Sequence, residues 1–155
     1  DFTFTTTLTV GNSESKDRRI AYVPGAWTLK INEDSKLQLT AFGRKKSNFA
    51  DVVSERIIEF GKTYDVSFSI HGMKNTNNYA RIFLREHGVD NAFMLVGEGA
   101  IVKSIKDTPG KSIILGGGRK DAAQFVGILQ SPRIFMSPFD ETDLGYLYGL
   151  AGVQK

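Results

Sequence analysis

The sequence predicts an all-β protein, an antiparallel sandwich or barrel with one short helix near its C-terminal end. Apolar and polar residues alternate through most of the chain, the period of a strand with one buried face. Turn signals recur about every ten residues, which gives roughly ten to twelve short strands. The sixteen glycines suit a fold of many turns and bulges.

Taken in order, Phe2, Phe4, Leu8 and Val10 alternate with Thr3, Thr5, Thr7 and Thr9, and β-branched threonine suits a pleated face. A polar stretch follows over 12–19. Ile20, Ala21, Tyr22 and Val23 form a short strand that stops at Pro24-Gly25. Trp27, Leu29 and Ile31 alternate with Thr28, Lys30 and Asn32, and a turn over 32–36 returns the chain into Leu37, Leu39 and Ala41, so the pair reads as a hairpin with Trp27 in the core. The stretch 49–60 is ambiguous. Phe49, Val52, Val53, Ile57 and Phe60 lie at helical spacing, while Val52, Val53, Ile57 and Ile58 also suit two short strands, the reading favoured by the neighbouring strands.

Tyr64, Val66, Phe68 and Ile70 alternate cleanly with Asp65, Ser67, Ser69 and His71. After a polar turn containing Asn75, Asn77 and Asn78, the residues Ala80, Ile82 and Leu84 alternate with Tyr79, Arg81, Phe83 and Arg85. Apolar runs at 93–96, 101–105 and 113–115 read as further strands. Gly116, Gly117 and Gly118 then form a turn. Two more strands are expected over 125–129 and 134–136, with Gly127 at a kink or a close backbone approach. Asp140, Glu141 and Asp143 place negative charge at the start of a closing helix, where the helix dipole favours it.

A chain of this length fits one domain, 1–155, with no internal repeat or linker. Its start at Asp1, inside a strand pattern, reads as a mature or excised piece of a larger protein. There is no cysteine, which excludes disulfide scaffolds, thiol catalysis and cysteine-ligated zinc. A net charge of +3, from twenty basic and seventeen acidic residues, is a mixed surface and no footprint for nucleic acid. The cluster Arg44-Lys45-Lys46 reads as a solvated turn. No apolar run is long enough to insert in a membrane.

Five segments in order resemble a known family. They are GKTYDVSFSIHG (61–72), YARIFLREHG (79–88), ILGG (114–117), FVGILQSPRIF (125–135) and FDETDLGYLY (139–148). They are similar to the ordered motifs of the concanavalin A-like, laminin-G-like jelly-roll superfamily. These run Lys-Trp-Tyr-His-Val-x-Val-x-Tyr-Asp-Gly, Val-x-Leu-Tyr-Val-Asp-Gly, Ile-Gly-Gly, Phe-x-Gly-x-Ile-x-x-Val-Arg-Ile-Tyr and Leu-Ser-x-x-Glu-Ile-x-x-Leu-Tyr. The likeness covers about the last hundred residues. The chain departs from it at Lys62-Thr63, where the usual tryptophan is missing, and at Glu86-His87-Gly88 in place of Asp-Gly. The resemblance implies an antiparallel two-sheet jelly-roll sandwich. It also implies a lectin-like carbohydrate-binding or cell-adhesion module of an extracellular, cell-surface or virion protein. Its partner would be a glycan or a cell-surface or capsid protein, with oligomerisation open. Laminin-G-like domains often bind calcium at the sandwich rim, so calcium is a candidate cofactor.

The residues offer little chemistry for catalysis. The paired carboxylates that glucanases of this superfamily carry on one strand are absent, so the chain is read as no enzyme. A polysaccharide-acting enzyme and a structural or oligomerisation module, such as part of a phage tail, are the rival readings. His71 and His87 close strands at turns and have no partners at metal or general-base spacing, so both read as solvated. The glycine triplet lacks the spacing of a phosphate loop. The acidic residues 140–143 read as a helix start in preference to a calcium site. A sugar site calls for an exposed aromatic ring beside amide, guanidinium or carboxylate groups. Tyr79, Arg81, Phe83 and Arg85, out of phase with the core and beside Asn77, form the favoured ligand-facing patch, with Tyr22 as a further candidate.

Overall fold

The computed structural model describes residues 1–12, 17–42, 48–72, 78–101, 111–117 and 125–150, with the side chains of 48 and 49 left aside. The expected Arg44-Lys45-Lys46 turn, Asn77 and its loop, the strand beyond Ile101 and the residues after Gly117 in the glycine turn lie outside the described residues.

Among the described residues, ten strands and one helix follow in chain order: β1 (Phe2–Val10), β2 (Arg18–Val23), β3 (Trp27–Ile31), β4 (Lys36–Phe42), β5 (Asn48–Ile57), β6 (Thr63–His71), β7 (Tyr79–Glu86), β8 (Met94–Ala100), β9 (Ile114–Leu115), β10 (Gly127–Phe135) and α1 (Glu141–Leu147). They build two antiparallel five-stranded sheets, ordered β10-β1-β6-β7-β8 and β5-β4-β3-β2-β9. The chain changes sheet after β1, β5, β8 and β9, and each sheet keeps a meander between crossings.

The inner faces meet in one apolar core. Phe4, Leu8, Val66, Phe68, Ile82 and Leu84 from one sheet face Trp27, Leu29, Ile31, Leu37 and Leu39 from the other, all buried. The Trp27 ring lies 4.9 Å from Phe68 in an edge-to-face arrangement, which adds to area burial. Tyr64 turns its ring into this core and its hydroxyl accepts the Glu59 N–H at 2.9 Å, so the buried oxygen is satisfied.

At one side the sandwich closes tightly. Val52 of β5 packs against Gly97 and Gly99 of β8, and a Cβ built on Gly99 would lie 2.8 Å from the Val52 Cγ2. A close approach between sheets explains why glycine stands there. At the other side Gly127 adopts φ 144° because β10 passes so near β1 that a Cβ would meet the Thr9 carbonyl oxygen at 2.1 Å.

Three elements differ from the sequence expectation. Residues 48–57 form one strand and not two, since β4 supplies a continuous partner through two register shifts. The two strands expected over 125–136 are also one, β10, bent by a bulge where Thr5 pairs Arg133 and Thr7 pairs Gln130. Ser131, at φ 48°, and Pro132 occupy that bulge; a bulge absorbs the extra residue and lets the strand continue.

The third difference concerns the outer face of the β10-β1-β6-β7-β8 sheet, which the alternation leaves to solvent. α1 lies over part of it. Asp140 caps the helix by accepting the Asp143 N–H, and the Asp143 side chain accepts the Asp140 N–H, a reciprocal capping box. The acidic run is thus a helix start, as expected. The preceding segment is pinned to β1: the Thr3 hydroxyl donates to the Ser137 carbonyl at 2.6 Å and accepts the Phe139 N–H at 2.7 Å. Leu144 then packs with Phe83 and Phe93 in a second, small core edged by Phe139, Tyr148 and Leu150. Small side chains, Thr5 and Ser67, are buried on the same sheet face.

Candidate functional site

The residues favoured from the sequence separate into three environments. Phe83 is fully buried beneath α1 and is corrected from ligand face to core. An out-of-phase aromatic on an amphipathic strand reaches solvent only if nothing covers that face, and here the helix does. Arg85 is held by Asp65, a fully buried carboxylate, through its Nε at 2.9 Å and its Nη2 at 2.7 Å. The Thr7 hydroxyl donates to the other Asp65 oxygen at 2.6 Å, and the His87 Nε2 lies 2.8 Å from Oδ2. His87 is therefore no free turn residue: it is oriented by a buried carboxylate, with its ring still partly exposed.

Tyr79 and Arg81 lie half-buried at the other end of β7. The guanidinium of Arg81 sits 3.9 Å from the Tyr79 ring centroid and pairs with Glu98 at 2.5 Å, while the His71 ring stacks on Tyr79 at 5.1 Å. The ring that was to act as a platform already has two neighbours against it.

The outer face of the second sheet is different. Two rows of side chains cross it. One runs Tyr22, Thr28, Thr40, Asp51 over β2, β3, β4 and β5; the next runs Arg19, Lys30, Gln38, Val53. Tyr22 and Arg19 are three residues apart, so strict alternation would send them to opposite faces. A bulge between Arg19 and Ala21 restores the phase: Ile20 and Ala21 are both buried, and Arg19 and Tyr22 both turn outward.

This face holds cations, carboxylates, hydroxyls and an amide on rigid strands. Lys30 pairs with Asp17 at 3.1 Å, and the Arg19 guanidinium sits 5.0 Å from the Tyr22 ring centroid. Asp51 accepts from the Gln38 amide at 2.8 Å and the Thr40 hydroxyl at 3.1 Å, while the Asn32 amide reaches Gln38 Oε1 at 3.3 Å. Two depressions lie in it. One, of about 340 Å³, is bounded by Asp17, Lys30, Asn32, Glu33, Asp34 and Gln38. The other, of about 180 Å³, is bounded by Asp17, Arg19, Thr28, Lys30, Thr40 and Phe42. A third depression, of about 290 Å³ at the β9 and β10 edge, is lined mainly by apolar groups such as Phe4, Ile113, Leu115 and Ile134. It suits a hydroxylated ligand poorly.

The convergence of donors and acceptors beside an aromatic ring is what recognition of a polyhydroxylated ligand requires. Sequence reasoning reached Tyr22 and missed Arg19, Lys30, Gln38 and Thr40. The signal was present in the polar phase of β3 and β4. Among the described residues, no group of three or more His, Asp or Glu is arranged to hold a metal ion.

No family model matches the chain, and no curated protein matches it. Solved structures do, two of them as follows. The CBM40 of the Ruminococcus gnavus IT-sialidase superposes with a TM-score of 0.68 at 13% identity, over 94% of this chain and 81% of that one. The marine PL-14 alginate lyase from Aplysia kurodai superposes with a TM-score of 0.55 at 10% identity, over 86% of this chain and 69% of the other. The fold is a lectin-like β-sandwich. At such identities the likeness is one of architecture, and the side chains of this chain must carry any further statement.

Proposed function

We propose that this protein is a non-catalytic carbohydrate-recognition module that binds its glycan on the outer face of the β5-β4-β3-β2-β9 sheet. The observation that carries this reading is the polar platform itself, with Arg19, Thr28, Lys30, Gln38 and Thr40 aligned across three strands beside Tyr22. Strand pairing fixes their backbone, and Asp17, Tyr22 and Asp51 hold the Lys30, Arg19 and Gln38 side chains, which lowers the ordering cost of binding. The sialidase carbohydrate-binding module among the structural neighbours supports the same reading. The proposal includes an exterior setting, in which the module holds a larger protein against glycan-coated surfaces.

A glycan array followed by calorimetry tests it. At least one acidic or neutral oligosaccharide is expected to bind with a Kd of about 1 mM or tighter. Lys30→Ala and Gln38→Ala are each expected to weaken binding about tenfold while the far-ultraviolet circular dichroism stays the same. Failure of every glycan to bind at millimolar concentration would overturn the proposal.

One observation favours a second reading, a polysaccharide-acting enzyme. His87, oriented by the buried Asp65, has the support that a general base needs. Turnover of a polysaccharide panel by the wild type, abolished by His87→Ala, would establish it. No product with any polysaccharide removes it.

A further inference from the structure

The two depressions on the polar face share the Lys30–Asp17 pair and differ in the rest of their lining. In the larger one the two amides are already satisfied. The Asn32 side-chain oxygen accepts the Asp34 and Lys36 N–H groups at 3.0 Å, and its nitrogen donates to Gln38 Oε1 at 3.3 Å. The Gln38 nitrogen donates to Asp51 at 2.8 Å. A ligand that replaced these bonds would gain little from them.

The smaller depression has groups left to offer. Thr28 and Thr40 pair across β3 and β4 within it. On one side of that pair stand Lys30 and Arg19, which the register sets level with each other. On the other side stands Phe42, half-buried, two residues beyond Thr40 in the outward phase of β4. The Thr40 hydroxyl gives its proton to Asp51 at 3.1 Å, so it meets a ligand as an acceptor. Gln38 supports this by holding the same Asp51 oxygen. Arg19 and Lys30 carry donors only. The Arg19 guanidinium lies over the Tyr22 ring, so the aromatic that lines the depression itself is Phe42.

We propose that the smaller depression is the binding subsite, and that it takes one pyranose ring with its C–H face on Phe42. One sugar hydroxyl donates to Thr40, and another accepts from Lys30 or Arg19. This rests on the carbohydrate reading above. The depression holds about 180 Å³, below the roughly 300–1,000 Å³ of sites that enclose a drug-sized ligand, which suits a single ring. Phe42 is then the residue that sets specificity. A rigid ring buries its apolar face against the aromatic, whereas an open-chain polyol offers the same hydroxyls and no such face. No charge on the sugar is required.

Nuclear magnetic resonance and calorimetric titrations with methyl β-D-galactopyranoside and methyl β-D-glucopyranoside, with sorbitol as control, test the inference. At least one glycoside is expected to bind with a Kd of about 10 mM or tighter, and sorbitol about tenfold more weakly. The ring C–H protons of the bound glycoside shift upfield in the ring current of Phe42. Phe42→Leu, which keeps an apolar side chain, abolishes that shift and weakens binding about fivefold; Phe42→Trp retains both. Thr40→Val weakens binding about fivefold. Glu33→Ala, in the larger depression, leaves it within about twofold. A glycoside that binds without the upfield shift, or as tightly to Phe42→Leu, or no better than sorbitol, overturns the inference while the carbohydrate reading stands. So does binding of larger glycans from the array when neither glycoside binds. Silence of the whole array overturns both.

Discussion

The closure between β5 and β8 supplies a quantitative test of how the two sheets are held. In Gly99→Ala the new methyl group is placed 2.8 Å from the Val52 Cγ2. Val52 is buried at 3% exposure, and its β-branched side chain has little rotamer freedom with which to retreat. Overpacking of this kind costs about 1–3 kcal/mol. It is offset by about 0.4–1 kcal/mol from the reduced freedom of the unfolded chain. Val52→Ala alone removes two buried methyl groups, worth about 0.8 kcal/mol each in transfer, and leaves a void, for a loss of about 2 kcal/mol. In the double variant the methyl group added by Gly99→Ala enters the space that Val52 vacated. The two changes should then fall short of additivity by about 1 kcal/mol or more. Equilibrium unfolding in urea of the wild type, both single variants and the double variant measures this directly. Additivity within about 0.5 kcal/mol would refute the claim that Val52 and Gly99 set the separation of the sheets at this edge.

Three other outcomes follow from the same structure. Phe83→Ala empties the small core under α1 and should cost about 3–5 kcal/mol in urea unfolding, whereas a solvent-facing Phe83 would lose almost nothing. Asp140→Ala removes the side-chain acceptor that caps α1 and should cost about 1 kcal/mol, visible as faster hydrogen exchange at the Asp143 and Leu144 amides. Burial pushes the Tyr64 phenol above its ordinary value, so its neutral form is the one the folded state keeps. Stability is then full below the unfolded phenol pKa of about 10 and is lost as pH rises from there through the higher folded value. Tyr64→Phe should be about 1 kcal/mol less stable at neutral pH, because the Glu59 N–H loses its acceptor, yet flatter above pH 10.

Alternation alone identifies β1, β3, β4, β6 and β7, because each packs one face on the core and the side-chain period is two. The closing helix is legible for a different reason: Asp140 and Asp143 are local capping chemistry that needs no tertiary information. What alternation hides are the places where it is interrupted. The bulge at Arg19–Ala21 puts Tyr22 and Arg19 on the same face, and the bulge at Ser131–Pro132 joins two apparent strands into β10. A bulge is set by the partner strand, so a single strand's pattern does not announce it.

The site shows the same limit. The outward phase of β7 reads as a ligand surface because Tyr79, Arg81, Phe83 and Arg85 have suitable chemistry. Which sheet face is covered depends on where α1 docks, through Thr3, Phe83 and Phe93, contacts between residues far apart in the chain. The outward phase of β3 and β4 carries equally suitable groups, Thr28, Lys30, Gln38 and Thr40, and the strand pairing brings them together around two adjoining depressions. Rows formed across several strands are a property of register, which appears only once the strands are paired.

The most direct test of the central claim is an amide chemical-shift titration of the isotopically labelled protein with 3′-sialyllactose and with alginate trisaccharide. Saturable shifts are expected at Arg19, Thr28, Lys30, Gln38 and Thr40, with the resonances of Tyr79, Arg81 and His87 unmoved. Shifts centred on Tyr79, Arg81 and Glu98, or on His87, would place the glycan elsewhere and rule out the polar sheet face as its site.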